Sequence, residues 1–291
     1  MTRLVTVGLP VFNNAATVLS AVRSVFAQTM DDWELLIVDD GSSDTSVDLL
    51  SRINDPRVTL VADGRNLGLA ARLNQIAELA RSGLLARMDA DDMMHPLRLA
   101  REVSWLADSA NDLVATDAVS IDGTNRPTRY RHSVTGASIE RQFRSSPYIH
   151  PTVLGHTSWF RSHPYDPRYR RCQDQELWVR TSHHRTVAVL PEPLLYLREA
   201  GTVPYAKYAR SMAGTRDVLR HHGRSLLGGP ETELLIASTV ARQAAYKLAD
   251  LVHQTDLLVK ARGIDLPAAE RTFHGLVLDT ILTTPLPGVD G

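Results

Sequence analysis

Apolar and polar positions in the first hundred residues follow two alternating rhythms. Leu4 to Leu9 is a short run of leucine and β-branched residues closed by Pro10, and Thr17 to Gln28 then places apolar residues at Val18, Ala21, Val22 and Val25, the spacing of one helical face. The pair repeats. Trp33 to Val38 reads as a strand, and Val47, Leu49, Leu50 and Ile53 suggest a helix that Ser43 or Asp44 can cap. Val58 to Ala62 and Leu84 to Met88 read as further strands on either side of a helix from Leu69 to Ala80. Such alternation predicts an α/β fold with a mostly parallel sheet, right-handed crossovers and flanking helices. Ligands of these sheets bind beyond the carboxyl ends of the strands. The polar clusters at Pro10 to Asn13, Asp39-Asp40 and Asp89 to Asp92 all follow strands, so one edge should collect them.

After Pro96 the spacing of Leu97, Leu99, Ala100, Val103 and Leu106 predicts a helix ending near Asp108, and Leu113 to Thr116 a short strand. Residues 122 to 148 are polar and arginine-containing, broken by Gly123, Pro127, Gly136 and Pro147, and read as a long functional loop. Ile149 to Gly155, Thr186 to Leu190 and Leu194 to Leu197 read as strands, with a helix from Gln175 to Ser182 between the first two. From Tyr205 the pattern turns helical. Leu234, Ala237, Ala241, Ala244 or Ala245, Leu248 and Leu251 or Val252 form a stripe expected to pack on the main body, and the end from Pro285 to Gly291 reads as frayed.

Composition narrows the class. A net charge of -1 argues against a nucleic-acid binder held by a broad basic surface, and the single Cys172 excludes an intramolecular disulfide. With no signal peptide and no apolar run of about 18 residues, the chain is expected to be cytoplasmic, without a transmembrane segment and at most peripheral to a membrane.

The most informative chemistry sits where the fourth strand ends. Asp89, Asp91 and Asp92 crowd three carboxylates into four residues, and like charges at such spacing resist joint ionisation unless something neutralises them. A divalent ion such as Mn²⁺ or Mg²⁺ suits oxygen ligands and is often shared with substrate phosphates; a solvated turn capping the next helix is the plainer reading. Arg87, inside an apolar strand, calls for a carboxylate partner. Arg72 either neutralises phosphate, buttresses an aspartate or lies on a solvated helix face.

The blocks Leu9-Pro10-Val11-Phe12-Asn13, Ile37 to Asp44, Asn66-Leu67-Gly68-Leu69, Ala86 to Asp92, His150-Pro151-Thr152-Val153 and Gln173 to Trp178, in that order, resemble the family 2 glycosyltransferases, inverting enzymes of the glycosyltransferase A fold. The resemblance covers roughly the first two thirds of the chain. It implies a catalytic domain over 1–203, with a donor-binding half at about 1–117 and an acceptor-side half at about 118–203, and leaves 204–291 as a helical C-terminal subdomain. It implies a nucleotide-diphosphate sugar, a UDP-sugar foremost, bound by Pro10, Phe12, Asp40, Asn66, Gly68, Arg72, Arg87, Asp89 and Asp92. Asp40 would accept from the base, Asp89 would hold the ribose, Asp91 would be the metal ligand and Asp92 would contact the sugar or shape the site. Asp174 matches the general base that removes the acceptor proton. After Arg198, where relatives often carry Arg-x-His, Glu199 and Ala200 follow, so no C-terminal histidine is supplied.

The acceptor, whether glycan, lipid-linked or small molecule, is expected to meet residues 122–170 and the helical tail, and the C-terminal helices offer a homodimer contact. Two other functions remain open. One is a noncatalytic nucleotide-sugar-binding protein of the same fold. The other is a sugar-phosphate nucleotidyltransferase, although Phe12-Asn13-Asn14-Ala15 lacks the glycine-rich basic loop that reaction calls for. Cys172 reads as a packing residue, His150 as structural and Glu176 as a solvated helix residue.

Overall fold

The computed structural model describes residues 3–199, 201, 203–251 and 263–290; Ala200, Val252 and Gly291 lie outside the described residues. The alternation of the first hundred residues is present as β1 (Val5–Val11), α1 (Val18–Phe26), β2 (Trp33–Asp39), α2 (Ser46–Leu50), β3 (Val58–Ala62), α3 (Leu69–Leu79) and β4 (Leu84–Arg87). Every residue of β1 and β2 is buried, because helices cover both faces of the sheet. Val18, Val22 and Val25 of α1 join one core cluster, whereas Leu73 and Ile76 of α3 join another. Each such side chain contributes roughly 1.5–3 kcal/mol of hydrophobic stabilisation.

β1 runs parallel to β2 and β4, and β2 parallel to β3, with Val11 opposite Asp39, Asp39 opposite Ala62 and Gly8 opposite Arg87. This register brings the four strand exits to one edge.

Further along come β5 (Met93–Met94), α4 (Arg98–Ala107), β6 (Leu113–Ile121), β7 (Pro127–Arg131), α5 (Ile139–Arg144), β8 (Leu154–His156), α6 (Thr157–Ser162), α7 (Gln173–Arg180) and β9 (Val187–Arg198). After β9 follow α8 (Tyr205–Val218), a π-turn (Leu219–Gly223), α9 (Arg224–Leu227), α10 (Gly229–Leu251), β10 (Ile264–Asp265) and α11 (Ala268–Leu282). The sheet order is β10-β7-β6-β8-β4-β1-β2-β3; β9 lies parallel to β6, and β5 pairs antiparallel with β9.

Several expectations are corrected. The supposed loop at 122–148 contains β7 and α5, the latter capped by the Ser138 hydroxyl, which accepts from the Arg141 N–H at 3.2 Å. β7, between β6 and the two-residue β10, is a polar and half-buried strand and so carries no hydrophobic alternation to read. The expected strand at 149–155 begins as a 3₁₀ turn over His150–Thr152, where Pro151 interrupts pairing. The two strands expected at 186–197 are one, β9, in which the register slips at Asp117 opposite Pro193.

The stripe on α10 is also corrected: Leu234, Leu248 and Leu251 are exposed, and the face turned inward carries Leu235, Thr239 and Tyr246. Nor are residues 285–290 frayed. Leu286 is fully buried in the main core, the Pro287 carbonyl accepts from the Asn54 N–H at 2.8 Å, and Asp290 pairs with Arg23 on α1. No helix of the described residues is long and apolar enough to cross a membrane.

Candidate active site

The shared edge opens into a cleft of about 330 Å³ bordered by Pro10, Phe12, Asn14, Asp40, Arg72, Asp89 and Asp91. Pro10 is buried, whereas Phe12 is exposed at the rim. Asn13 adopts a left-handed conformation (φ 54°), and its Oδ1 accepts from the Ser43 N–H at 2.8 Å, tying the exit of β1 to the exit of β2.

Asp40 is a hub of donors. Its carboxylate accepts from the N–H groups of Leu67 (2.7 Å) and Gly68 (3.0 Å) and from Nε of Arg72 (3.0 Å). Gly68 stands at φ 89°, a conformation an L-residue resists, and this lets the loop fold its amides onto the carboxylate. The exposed Asn66 donates from Nδ2 to the Asp40 carbonyl at 3.0 Å. Arg72 is fully buried rather than on a solvated face. Its five N–H donors meet Asp40, Asp63, Gln75 and the Arg65 carbonyl, so it serves as a buttress for the loop. Asp39, also buried, caps the turn by accepting from the Gly41 and Ser42 amides with Oδ2, while its Oδ1 has no partner among the described residues.

The acidic cluster is built differently. Arg87 has its carboxylate partner, a two-pronged pair with Asp89 at 2.6 and 2.7 Å. The buried Arg98 donates to the Arg87 carbonyl at 3.1 Å and fixes the strand's last peptide. Ligand oxygens from Asp89, Asp91 and Asp92 all lie within 4.8 Å of one another. Asp92 is buried; its Oδ1 accepts from the Arg198 N–H at 2.8 Å, and its Oδ2 has no partner among the described residues. Burial first, and the neighbouring carboxylates second, raise the Asp92 carboxyl well above the ordinary range. Asp91, partly open to the cleft, is raised by burial and by Asp89, against the opposing charges of Arg87 and Arg198. A buried carboxylate oxygen without a donor, beside two more carboxylates, fits a divalent cation.

Asp174 lies in the first turn of α7, behind Cys172, which takes the left-handed N-cap conformation at φ 61°. Burial raises the Asp174 carboxyl; the Gln175 N–H, the Ser146 hydroxyl and the charge of Arg87 pull it back. Arg87 thus pairs with Asp89 and also places its charge where it acts on Asp174. Cys172 is a packing residue, its thiol pushed up to about 11 by burial. His150 is structural: its Nε2 is 2.8 Å from the Tyr165 hydroxyl, and burial holds it neutral. Glu176 is not solvated but buried, paired with Arg180 at 2.8 Å and His222 at 3.0 Å.

Of the residues expected at the site, Pro10, Phe12, Asp40, Arg72, Asp89 and Asp91 therefore line one cleft. Asn66 and Gly68 support it through Asp40, Arg87 and Asp92 stand behind its wall, and Asp174 is joined to it electrostatically through Arg87. Arg198 was missed as a site residue. Besides its amide contact with Asp92, its Nε donates to the Asp91 carbonyl at 2.9 Å.

The sequence model of Glycosyl transferase family 2 matches residues 6–187. Among curated relatives, the putative glycosyltransferase EpsE of Bacillus subtilis is 28% identical over 184 residues, 60% of this chain and 66% of EpsE. The succinoglycan biosynthesis protein ExoO of Rhizobium meliloti is 38% identical over 122 residues, 41% of this chain and 35% of ExoO. The chain thus spans less than two thirds of the length of either relative. Among solved structures, mannosyltransferase PcManGT from Pyrobaculum calidifontis, in complex with GDP-Man and Mn²⁺, superposes with a TM-score of 0.60 at 18% identity, covering 97% of this chain and 86% of that one. Residues 1–349 of S. aureus TarS, in complex with UDP, give a TM-score of 0.58 at 16% identity, covering 83% and 72%. The fold is accordingly of the glycosyltransferase A type with a helical C-terminal region.

Proposed function

Because the chain belongs to glycosyl transferase family 2, we propose that it moves a sugar from a nucleotide-sugar donor to an acceptor hydroxyl with inversion at the anomeric carbon. The observation that carries this reading is the acidic cluster with its partnerless Asp92 oxygen, set in the wall of a cleft of about 330 Å³. In this reading residues 1–117 bind the donor, with Pro10 and Phe12 against the nucleoside. Asp40 fixes the loop at 66–68 beside the base and Asp89, oriented by Arg87, takes the ribose. Asp91, with Asp92 behind it, would hold Mn²⁺ or Mg²⁺, which supplies positive charge against the diphosphate that departs.

Asp174 takes the proton from the acceptor hydroxyl as its oxygen bonds the anomeric carbon and the bond to the diphosphate oxygen breaks. A carboxyl raised by burial is a stronger base than an ordinary aspartate, while the charge of Arg87 and the Gln175 amide favour its ionised form.

The reading is tested by measuring binding and turnover of UDP-, GDP- and dTDP-sugars with and without chelator. Asp174→Asn should leave donor affinity within about threefold and lower transfer by about 10²–10⁴-fold. Undiminished transfer would remove Asp174 from the base role, and no binding of any of these donors with metal present would remove the transferase reading.

A further inference from the structure

Beyond Asp91 lies a second, larger cleft of about 520 Å³, whose lining includes Asp91, Arg198, Glu199, Lys207, Tyr208 and Ser211. Asp91 is the residue common to both linings. One wall is the end of β9, and the opposite side is α8, which lies beyond the residues matched to the family.

The polar groups of this lining are in two states. Arg198 is engaged with Asp91, Asp122 and Asn125, and Glu199 with Arg131 and Ser120. Lys207, in contrast, is exposed and pairs with no carboxylate among the described residues. Tyr208 stacks on Tyr246 with ring centroids 4.0 Å apart and planes 12° from parallel, and the Tyr246 hydroxyl is held by the Val203 carbonyl. The Tyr208 ring is thereby fixed before any ligand arrives. A fixed aromatic face edged by an ammonium group and a hydroxyl matches a pyranose, which presents C–H groups on its face and hydroxyls around its rim. The lining also holds Leu197, Val203 and Met212, but Arg198, Glu199 and Lys207 stand among them, so they do not form the continuous apolar trough that a long acyl chain would call for.

The same helix holds the turn that carries Asp174. Cys172 Sγ lies 3.4 Å from the Ser211 carbonyl oxygen, and the Thr215 hydroxyl donates to Gln175 Oε1 at 3.0 Å. Gly214 makes this approach possible: a Cβ there would stand 3.1 Å from Cys172 Sγ and 3.2 Å from the Arg171 carbonyl oxygen. The side of the cleft and the base-bearing turn form one packed unit.

We propose that this second cleft binds the acceptor, and that the acceptor is a saccharide laid against Tyr208 with Lys207 and Ser211 at its hydroxyls. The proposal rests on the transferase reading above and names the substrate class of its second site.

The experiment measures nucleotide release from UDP-glucose, UDP-N-acetylglucosamine and GDP-mannose, alone, with methyl glycosides of hexoses and N-acetylhexosamines, or with a Ser/Thr peptide. Glycosides should accelerate release. Tyr208→Ala should raise the glycoside KM about tenfold with the donor KM within about twofold, Tyr208→Phe should keep the glycoside KM near that of the wild type, and Lys207→Ala should raise it less than Tyr208→Ala. An unchanged glycoside KM in Tyr208→Ala would overturn the proposal, as would acceleration by the peptide and not by glycosides. Donor hydrolysis that no glycoside accelerates would overturn the saccharide acceptor alone, whereas a wild type inert toward every donor would remove the transferase reading with it.

Discussion

Two strand exits of one sheet carry buried aspartates, and Asp40 at one and Asp92 at the other are in opposite physical states. At the exit of β2, Asp40 is saturated by two backbone amides and a fully buried arginine. At the exit of β4, Asp92 is equally hidden, yet one oxygen receives a single amide and the other receives nothing. A saturated carboxylate holds protein to protein; an unsaturated one beside two like charges stabilises the fold only when something else arrives. The difference separates scaffold from site more sharply than the residue types do, since both exits read as Asp-rich turns.

The contrast predicts opposite signs for removing charge at the two places. Asp40→Ala strips Arg72 of one of its two carboxylate partners in a buried setting and leaves two amides without an acceptor; it should lower unfolding free energy by about 3 kcal/mol, measured by denaturant titration. A change below about 1 kcal/mol would mean that Asp63 alone suffices for Arg72.

Asp91→Asn removes the carboxylate that borders both clefts, and should weaken metal-dependent donor binding by about 100-fold, close to 2.7 kcal/mol, in calorimetry with Mn²⁺ or Mg²⁺. Asp92→Asn should weaken it less. The reverse order would assign the main ligand to Asp92.

In chelator, Asp92→Asn should stabilise the protein by about 1 kcal/mol, seen as a raised Tm. The sign follows from the raised folded-state pKa: stability from the protonated form is present below the unfolded pKa and is lost as pH rises through the folded one. Removing the charge therefore helps at neutral pH and ceases to help in acid, where the wild type is already protonated. An added divalent ion should reverse the ranking of the two proteins.

The parts legible from the sequence are those built from local rhythm. α1 and α3 advertise one face each, and β1, β2 and β4 are continuous apolar runs, so the common edge with Pro10, Asp40 and Asp91 on it could be placed in advance. Arg87 could be assigned a carboxylate partner because an unpaired charge in an apolar strand is too costly. The parts that stayed hidden depend on partners far along the chain. Arg198 reaches Asp92 across 106 residues, and nothing near either one signals the other. Pro191 and Pro193 look like a break, yet the strand continues because β6 accommodates them with a register slip. The polar end of the chain reads as frayed until Arg23, on the first helix, provides Asp290 with its counter-charge.

Ser146, in the segment that looked like loop, gives the smallest and cleanest of these tests. Its hydroxyl carries one proton and has two acceptors in reach, the Tyr148 carbonyl at 3.0 Å and the Asp174 carboxylate. Donation to Asp174 favours the ionised base and so lowers its pKa, against the burial that raises it. With Asp174 as the proposed base, transfer requires its ionised form, and the acid limb of the pH profile of kcat/KM should lie above the ordinary aspartate range. Ser146→Ala should move that limb to higher pH by less than about one unit and leave the plateau at higher pH within about twofold. A limb that stays in place would mean that Ser146 gives its proton to Tyr148. A limb that moves to lower pH would contradict donation from Ser146 to the ionised carboxylate, since loss of such a donor cannot favour the charged form. The outcome also bears on the opening contrast, because Asp174 stands between its extremes, half-buried and raised by desolvation like Asp92 but supplied with donors like Asp40.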